Sequence, residues 1–313
     1  MARVAPSLVL VDNRRELREF LASRRAKITP DRAGLPTYGG HRRVPGLRRE
    51  EVALLAGVSA EYYIRLERGN ASGASDTVLE ALARALQLNE AERAHLFALA
   101  RAASPTARRR RRPAQERVRP GVQQLLDAMT DVPAFVQNGR LDVLATNVLG
   151  RAMYCDLFDA DVVRGGPGRP PNHARYTFLD PRSADFYPDW NLAARTGVAL
   201  LRAEAGRSPD DRLLTELIGE LTTRSSTFSA LWAAHDVRRH TSGTKHVHHR
   251  VVGDLSLDYE QMELPGDAGL TLLTYTAPPG STSQQALRFL ASWAASPDEA
   301  TATSRPATVD RPA

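Results

Sequence analysis

Apolar residues recur at helical spacing through the first hundred positions and give way to strand-like alternation only later. In residues 12–28, Leu17, Phe20 and Leu21 form one stripe with charge elsewhere, which predicts a first helix. From Leu47 to Gly69 the stripe returns as Val52, Ala53 and Ala56, with Leu55 between. Ala53 is small where two helices must cross closely. Gly57 follows where the turn needs a positive φ, which glycine takes without a Cβ penalty. Ser59 is a natural N-cap for a second helix, from which Val58, Tyr63 and Leu66 face inward. Ala60, Glu61, Ile64, Arg65 and Arg68 then point outward. Two short helices joined by a glycine-containing turn predict a helix-turn-helix. Ser75 caps a further helix with Val78, Leu79, Leu82, Ala83 and Leu86 on one face. Asn89 and Glu92 form a capping-box-like pair that opens a fifth helix to about Ala102. The connection from Thr29 to Gly46, rich in Gly, Pro and Arg, is long for a compact domain.

From about Pro120 the texture changes. Gln123 to Met129 reads as helix. Ala134 to Gln137 and Leu141 to Ala145 flank Asn138-Gly139, a hairpin signal. Asn147 to Leu157 returns to helix, 164–173 is a Gly/Pro loop, and Asp185 to Ala205, Arg212 to Arg224 and Ser226 to His235 read as helices. Alternating segments Thr244 to Val252, Asp254 to Leu264 and Leu270 to Ala277 predict an antiparallel meander. A final helix, Ser283 to Ala294, carries Leu287, Leu290 and Trp293 on one face. After Ser296 no pattern remains. The second half is therefore expected to be α+β, with an antiparallel sheet covered by helices on one side and room for a small ligand between the layers.

Charge sharpens the division. Residues 1–112 hold 22 Lys+Arg against 12 Asp+Glu, a balance of +10, whereas 113–313 hold 20 against 24. One end suits a polyanion and the other does not. Lys27 and Lys245 are the only lysines. The resulting arginine bias suits phosphate and guanine contacts and equally fits a GC-rich genome. In a helix-turn-helix the outward N-terminal side of the second helix enters the major groove of duplex DNA. This makes Ala60, Glu61, Ile64 and Arg65 the base-reading candidates. Arg48, Arg49, Ser59, Arg68, Arg42 and Arg43 are the phosphate candidates. Arg108 to Arg112, an unbroken arginine run, reads as a linker that either lies along the DNA backbone or is passive.

Other chemistry is thinner. Cys155 is the only cysteine, so neither an internal disulfide nor a thiolate metal site is expected. His246 and His248 share a strand face at metal-compatible spacing, but no carboxylate pattern accompanies them and a polar face is preferred. Gly165-Gly166-Pro167-Gly168 is not set between a strand and a helix as a phosphate loop requires. Asp210-Asp211 reads as a helix start, and Asp258 with Glu260 as a solvated face. No nucleophile–base set is visible, and no apolar run approaches a membrane span. A cytoplasmic, soluble protein without cofactor, metal or enzymatic activity is expected. Phe135, Tyr154, Phe186, Trp190 and Trp232 are the aromatics chosen for a ligand pocket, although each taken singly suits a plain core better.

Pro45 to Ala53 and Tyr62 to Gly69 resemble the helix-turn-helix of the MmyB-like regulators, in the broad xenobiotic-response-element (Cro/repressor-like) superfamily. Ala174 to Pro181, Tyr187 to Trp190, Leu231 to Val237 and Val251 to Tyr259 resemble their ligand-binding domain, and the likeness runs over roughly 13–295. The loop Asn70 to Ser75 departs from it, where a shorter, proline-containing link is expected. The resemblance implies a PAS-like sensor behind an all-α Cro/repressor-like head, with an apolar, fatty-acid-like ligand. The expected layout is a helix-turn-helix domain at 12–103, a linker at 104–120, a PAS-like domain at 121–296 and a disordered tail at 297–313. The expected function is a transcriptional regulator that binds double-stranded DNA as a homodimer and senses a small apolar molecule. A ligand-independent architectural or antitoxin-like binder and a DNA-docked enzyme are the alternatives.

Overall fold

Contacts divide the chain into two units, one formed by residues 1–113 and 198–239, the other by 114–197 and 240–313. The computed structural model describes residues 13–35, 44–102, 117–159, 161–234, 242–267 and 269–295. Arg42, Arg43, the Arg108 to Arg112 run and the tail lie outside them.

The first unit begins with α1 (Asn13–Lys27), a 3₁₀ turn (Asp31–Ala33), α2 (Arg49–Ala56), α3 (Ala60–Glu67), α4 (Asp76–Ala85) and α5 (Glu90–Ala102). Each predicted stripe meets one core: Leu17, Phe20 and Leu21 pack with Val52, Ala53, Tyr63, Leu66, Leu79, Leu82, Leu96 and Leu99, all buried. Gly57 ends α2 at φ 67°. The Tyr62 N–H donates to Ser59 Oγ at 3.1 Å, capping α3. The capping box of α5 is complete, with Asn89 N–H on Glu92 Oε2 at 3.0 Å and Glu92 N–H on Asn89 Oδ1 at 2.9 Å. A buried carboxylate ties three helices together. Glu67 accepts from Arg25 Nη2 of α1 at 2.7 Å and pairs with Arg49 of α2.

The remaining parts of this unit come from far along the chain. They are the end of α12 (Trp190–Arg207), α13 (Arg212–Arg224) and α14 (Ser226–Ala233). Residues 198–239 thus group by contact with the first unit. Arg202 of α12 is 1% exposed and its Nη1 donates to Glu16 of α1 at 2.7 Å. Its guanidinium also donates to the Trp232 carbonyl and lies 4.3 Å from that ring. Gly206 faces the His95 ring of α5 so closely that a Cβ would sit 3.2 Å away. An amphipathic stripe records that a helix face is buried and not which core buries it.

The second unit holds α6 (Pro120–Ala128), β1 (Ala134–Asn138), β2 (Val143–Thr146), α7 (Val148–Met153), α8 (Cys155–Asp159), α9 (Asp161–Arg164), α10 (His173–Leu179), α11 (Arg182–Phe186), β3 (Ser242–His249), β4 (Gly253–Glu263), β5 (Leu270–Thr276) and α15 (Thr282–Ala295). The strands form one antiparallel sheet in the order β2-β1-β5-β4-β3. The meander pairs with the earlier hairpin through β5, setting Phe135 opposite Leu273. On one face Phe135, Leu257, Leu273 and Tyr275 pack with Leu149 and Met153 of α7 and Leu287 and Leu290 of α15. On the other, Val136 and Leu272 pack with Val122 and Leu126 of α6. The sheet thus carries helices on both faces: β1 is buried at every position and β5 from Leu272 to Tyr275, rather than alternating.

Two local expectations change, and one helix was not expected. Asp185 to Ala205 is not one helix. Pro188 lacks an N–H and disfavours helix at Tyr187, so α11 stops at Phe186 and α12 starts at Trp190. The segment after the Gly/Pro loop forms α10, capped by Asn172 Oδ1, which accepts from the Arg175 N–H at 3.0 Å. In the hairpin the positive φ falls on Leu141, at 67°. Asn138 holds that loop by accepting from the N–H groups of Arg140 and Asp142.

Candidate functional site

The first site is the outward face of α3. Glu61, Ile64, Arg65, Arg68 and Asn70 line a concavity of about 430 Å³. Glu61, Arg65 and Arg68 are exposed, while Ala60 and Ile64 are half-buried. The face is outward because Tyr63, Leu66 and Glu67 take the inward positions of this eight-residue helix. Arg65 is steadied by the Tyr62 ring 4.8 Å from its guanidinium carbon. Ser59 stands exposed at the N-terminus with its oxygen already accepting the cap bond. Arg48 starts α2, its N–H donating to Glu51 Oε2 at 2.6 Å. Arg49 lies beside it, exposed but committed to Glu67, so it is less available to a phosphate than the sequence suggests. Of the ten DNA candidates, eight fall on described residues.

The second site is aromatic and lies within the sheet unit. Of the five chosen aromatics, Phe135, Tyr154 and Phe186 meet. Phe135 and Tyr154 have ring centroids 5.7 Å apart, and Tyr154 and Phe186 5.0 Å. Trp190 packs at the edge of the same cluster, its indole N–H donating to the Thr177 carbonyl at 3.1 Å. Trp232 belongs to the other unit, stacked on Phe228 at 5.6 Å, and does not join them.

Four residues not chosen from the sequence, Lys245, His173, Tyr187 and Tyr275, converge on those rings. Lys245, on β3, places its ammonium 5.0 Å from the Tyr187 ring, 5.7 Å from Tyr154 and 5.8 Å from Tyr275. The Tyr154 and Tyr275 hydroxyls are 3.1 Å apart. His173 opens α10 with its ring 5.0 Å from both Phe135 and Tyr154, and its Nε2 is buried without a hydrogen-bond partner. Burial holds Lys245 down to about 8 and His173 down to about 3, with the Lys245 charge adding to the latter. Burial also pushes the Tyr154, Tyr187 and Tyr275 phenols well above their usual range. The signal was available. Along β3, Lys245 shares the odd-numbered face with buried Val247 and His249, so the alternation points a lysine inward.

The remaining candidates resolve simply. His246 and His248 are exposed, and His248 Nδ1 lies 2.6 Å from Asp254. His249 points inward with Nε2 3.0 Å from the Ala152 carbonyl. Among the described residues no group of three or more His, Cys, Asp or Glu could hold a metal ion. The Cys155 thiol is pushed up to about 11 by burial, which leaves it un-ionised at neutral pH. Asp211 caps α13 by accepting from the Leu214 N–H at 3.1 Å, and Asp258 and Glu260 are solvent-facing. No described helix is long and apolar enough to cross a membrane.

Residues 118–290 match the family model of the MmyB-like transcription regulator ligand binding domain, and residues 15–96 match that of a helix-turn-helix domain. No curated protein matches the chain.

Proposed function

Because the chain belongs to the MmyB-like transcription regulators, we propose that it reads duplex DNA as a homodimer and answers to an apolar, fatty-acid-like molecule. It carries a helix-turn-helix DNA-binding domain and a ligand-binding domain, and so is a ligand-sensing transcriptional regulator. The observation that carries the finer DNA reading is the face of α3, where Arg65 and Arg68 stand exposed around one concavity with Glu61 and Ile64. Arg65 reads a base edge, with Ala60, Glu61 and Ile64 beside it. Arg48, Arg68, the Ser59 cap region and, while paired to Glu67, Arg49 meet phosphates; Arg42 and Arg43 join them from the preceding loop. Two such heads engage half-sites about one helical turn apart. The protein works in the cytoplasm by binding rather than turnover.

The ligand reading is supported by the ring cluster of Phe135, Tyr154 and Phe186 beneath the sheet. Ligand in that domain shifts the population of DNA-competent heads, which requires different affinities for the two states.

Selection of bound duplexes from a random-sequence pool yields the site. Arg65→Ala is then expected to weaken binding by about 1–3 kcal/mol and relax one base position. Unchanged binding and unchanged specificity would remove Arg65 from the groove. Solvent extraction of the purified chain followed by mass spectrometry, beside a mock purification, tests the ligand class.

A further inference from the structure

We infer that Tyr62 is the positioning residue of the α3 face. Its ring holds Arg65 off Glu61, so that the helix presents a guanine fork and a cytosine acceptor side by side and selects half-sites that carry both bases within about two base pairs. This rests on the reading of α3 as the helix that enters the major groove and adds the bases that it selects.

The spacing of three residues carries the argument. Glu61 and Arg65 stand four apart on an eight-residue helix, where a glutamate and a following arginine ordinarily pair across one turn. Both are exposed, yet no ion pair joins them among the described residues. The Arg65 guanidinium carbon lies instead over the Tyr62 ring, 4.8 Å from its centroid. Tyr62 competes well because its ring is already in place. It is half-buried against the head core, and its own N–H is tied to Ser59 Oγ at 3.1 Å. An exposed glutamate gives up rotamer freedom to pair, and water screens what it gains.

The two contacts use different parts of the guanidinium. An ion pair with Glu61 takes its N–H edge. Stacking on a ring takes its flat face and leaves that edge open, and the edge is the fork that matches guanine O6 and N7. The same arrangement leaves the Glu61 carboxylate open as an acceptor. Phosphates repel a carboxylate, so in the groove it is stable only against a base amino group. Cytosine N4 is such a donor, with no acceptor on the same base edge. Adenine sets N7 beside its amino group, which repels the second carboxylate oxygen. Residues four apart on a helix face have Cβ atoms about 5–6 Å apart, and bases are spaced about 3.4 Å along a strand. The guanine and the cytosine therefore fall within about two base pairs of each other.

The test uses the full chain and duplexes selected from a random pool, with Kd read by competition on the selected site and on its single-base variants. Arg65→Ala identifies the guanine and Glu61→Gln the cytosine, each expected to lose about tenfold discrimination at its own position. Tyr62→Leu is expected to lower the guanine discrimination about threefold or more, and Tyr62→Phe, which keeps the ring, to retain it. Adding Glu61→Gln to Tyr62→Leu should restore it, because a neutral side chain no longer captures the arginine; a loss caused by misfolding is not restored that way. Where Tyr62→Leu does not fold, Glu61→Gln alone decides. It should relax the cytosine and leave the guanine discrimination unmoved, and a gain at guanine would mean that Glu61 already held Arg65, which overturns the inference. Full guanine discrimination in Tyr62→Leu, or unchanged base preferences in Glu61→Gln, overturns it as well. In both cases a loss on Arg65→Ala keeps the groove reading intact. If Arg65→Ala alters no base preference, the groove reading fails too.

Discussion

His173 and Lys245 show how much one buried group can set the pH behaviour of a domain. Burial holds the His173 ring neutral down to about 3 against an ordinary 6.5. Between those values the unfolded chain binds the proton that the folded one refuses, so stability rises with pH across that window and is lost as pH falls through it. His249 is shifted in the same direction. We expect the sheet unit to lose about 2 kcal/mol between pH 6.5 and 4 from His173, and His173→Phe to flatten that slope in urea melts taken at each pH. Lys245 works in another window. Its folded value near 8 against 10.5 means that the unfolded chain holds more protons between them, so stability climbs as pH rises from 8 towards 10. Lys245→Met should raise the ligand-free melting temperature at pH 7 and remove that climb; a lower melting temperature would mean that the ring contacts outweigh the burial cost. Glu67 acts through its ion pairs instead. Its removal leaves half-screened Arg25 without its partner, and Glu67→Ala should destabilise the head by about 2 kcal/mol in chemical denaturation.

At the scale of elements, two glycines of the helix-turn-helix are required for different reasons. Gly57 has a positive φ of 67° and open space where a Cβ would go. Gly57→Ala should therefore cost only the backbone strain, about 1 kcal/mol. Gly69, at φ 88°, also lies against α1, where a Cβ would be 2.2 Å from the Arg14 carbonyl oxygen. Gly69→Ala has to move α1 or α3 and should cost about 3 kcal/mol or more. Thermal melts of the two variants side by side check the contrast, and equal losses would show that α1 yields easily. Local sequence pattern predicts the positive φ at Gly57 but not the contact of Gly69 with α1. It located α2, α3, α4 and α5 to within a residue or two and placed Ser59, Asn89 and Glu92 as caps, because those signals are local. It ran α11 and α12 together, since an apolar stripe continues past Pro188 even though the backbone cannot.

For the whole molecule, residues 198–239 group by contact with 1–113, beside a helix-turn-helix core drawn from residues 17–100. Arg202 and Glu16 bury their charges against each other, with the Trp232 carbonyl as third partner. Arg202→Ala leaves the Glu16 carboxylate, already pushed upward by burial, without its main counter-charge. We expect a loss of about 3–5 kcal/mol, read by denaturant unfolding followed by Trp232 fluorescence. A fragment ending at residue 113 should likewise melt below the full chain at its first transition, and identical melting would make the grouping energetically idle. The +10 balance of residues 1–112 against −4 for the rest predicts that DNA affinity falls steeply with salt.

The sequence by itself determined the helix-turn-helix, its outward arginines and the antiparallel α+β character of the second half. Caps, turns and apolar periods act between residues close in the chain, and a known family's motifs recur along it. Only the tertiary structure decided which core each amphipathic helix serves, that Trp232 packs in one unit while Phe135, Tyr154 and Phe186 meet in the other, and that Lys245 and His173 reach those rings. Those facts depend on how five segments distant in sequence close around one sheet face. Burial, which removes the ammonium's water and sets its chemistry, exists only once they have closed.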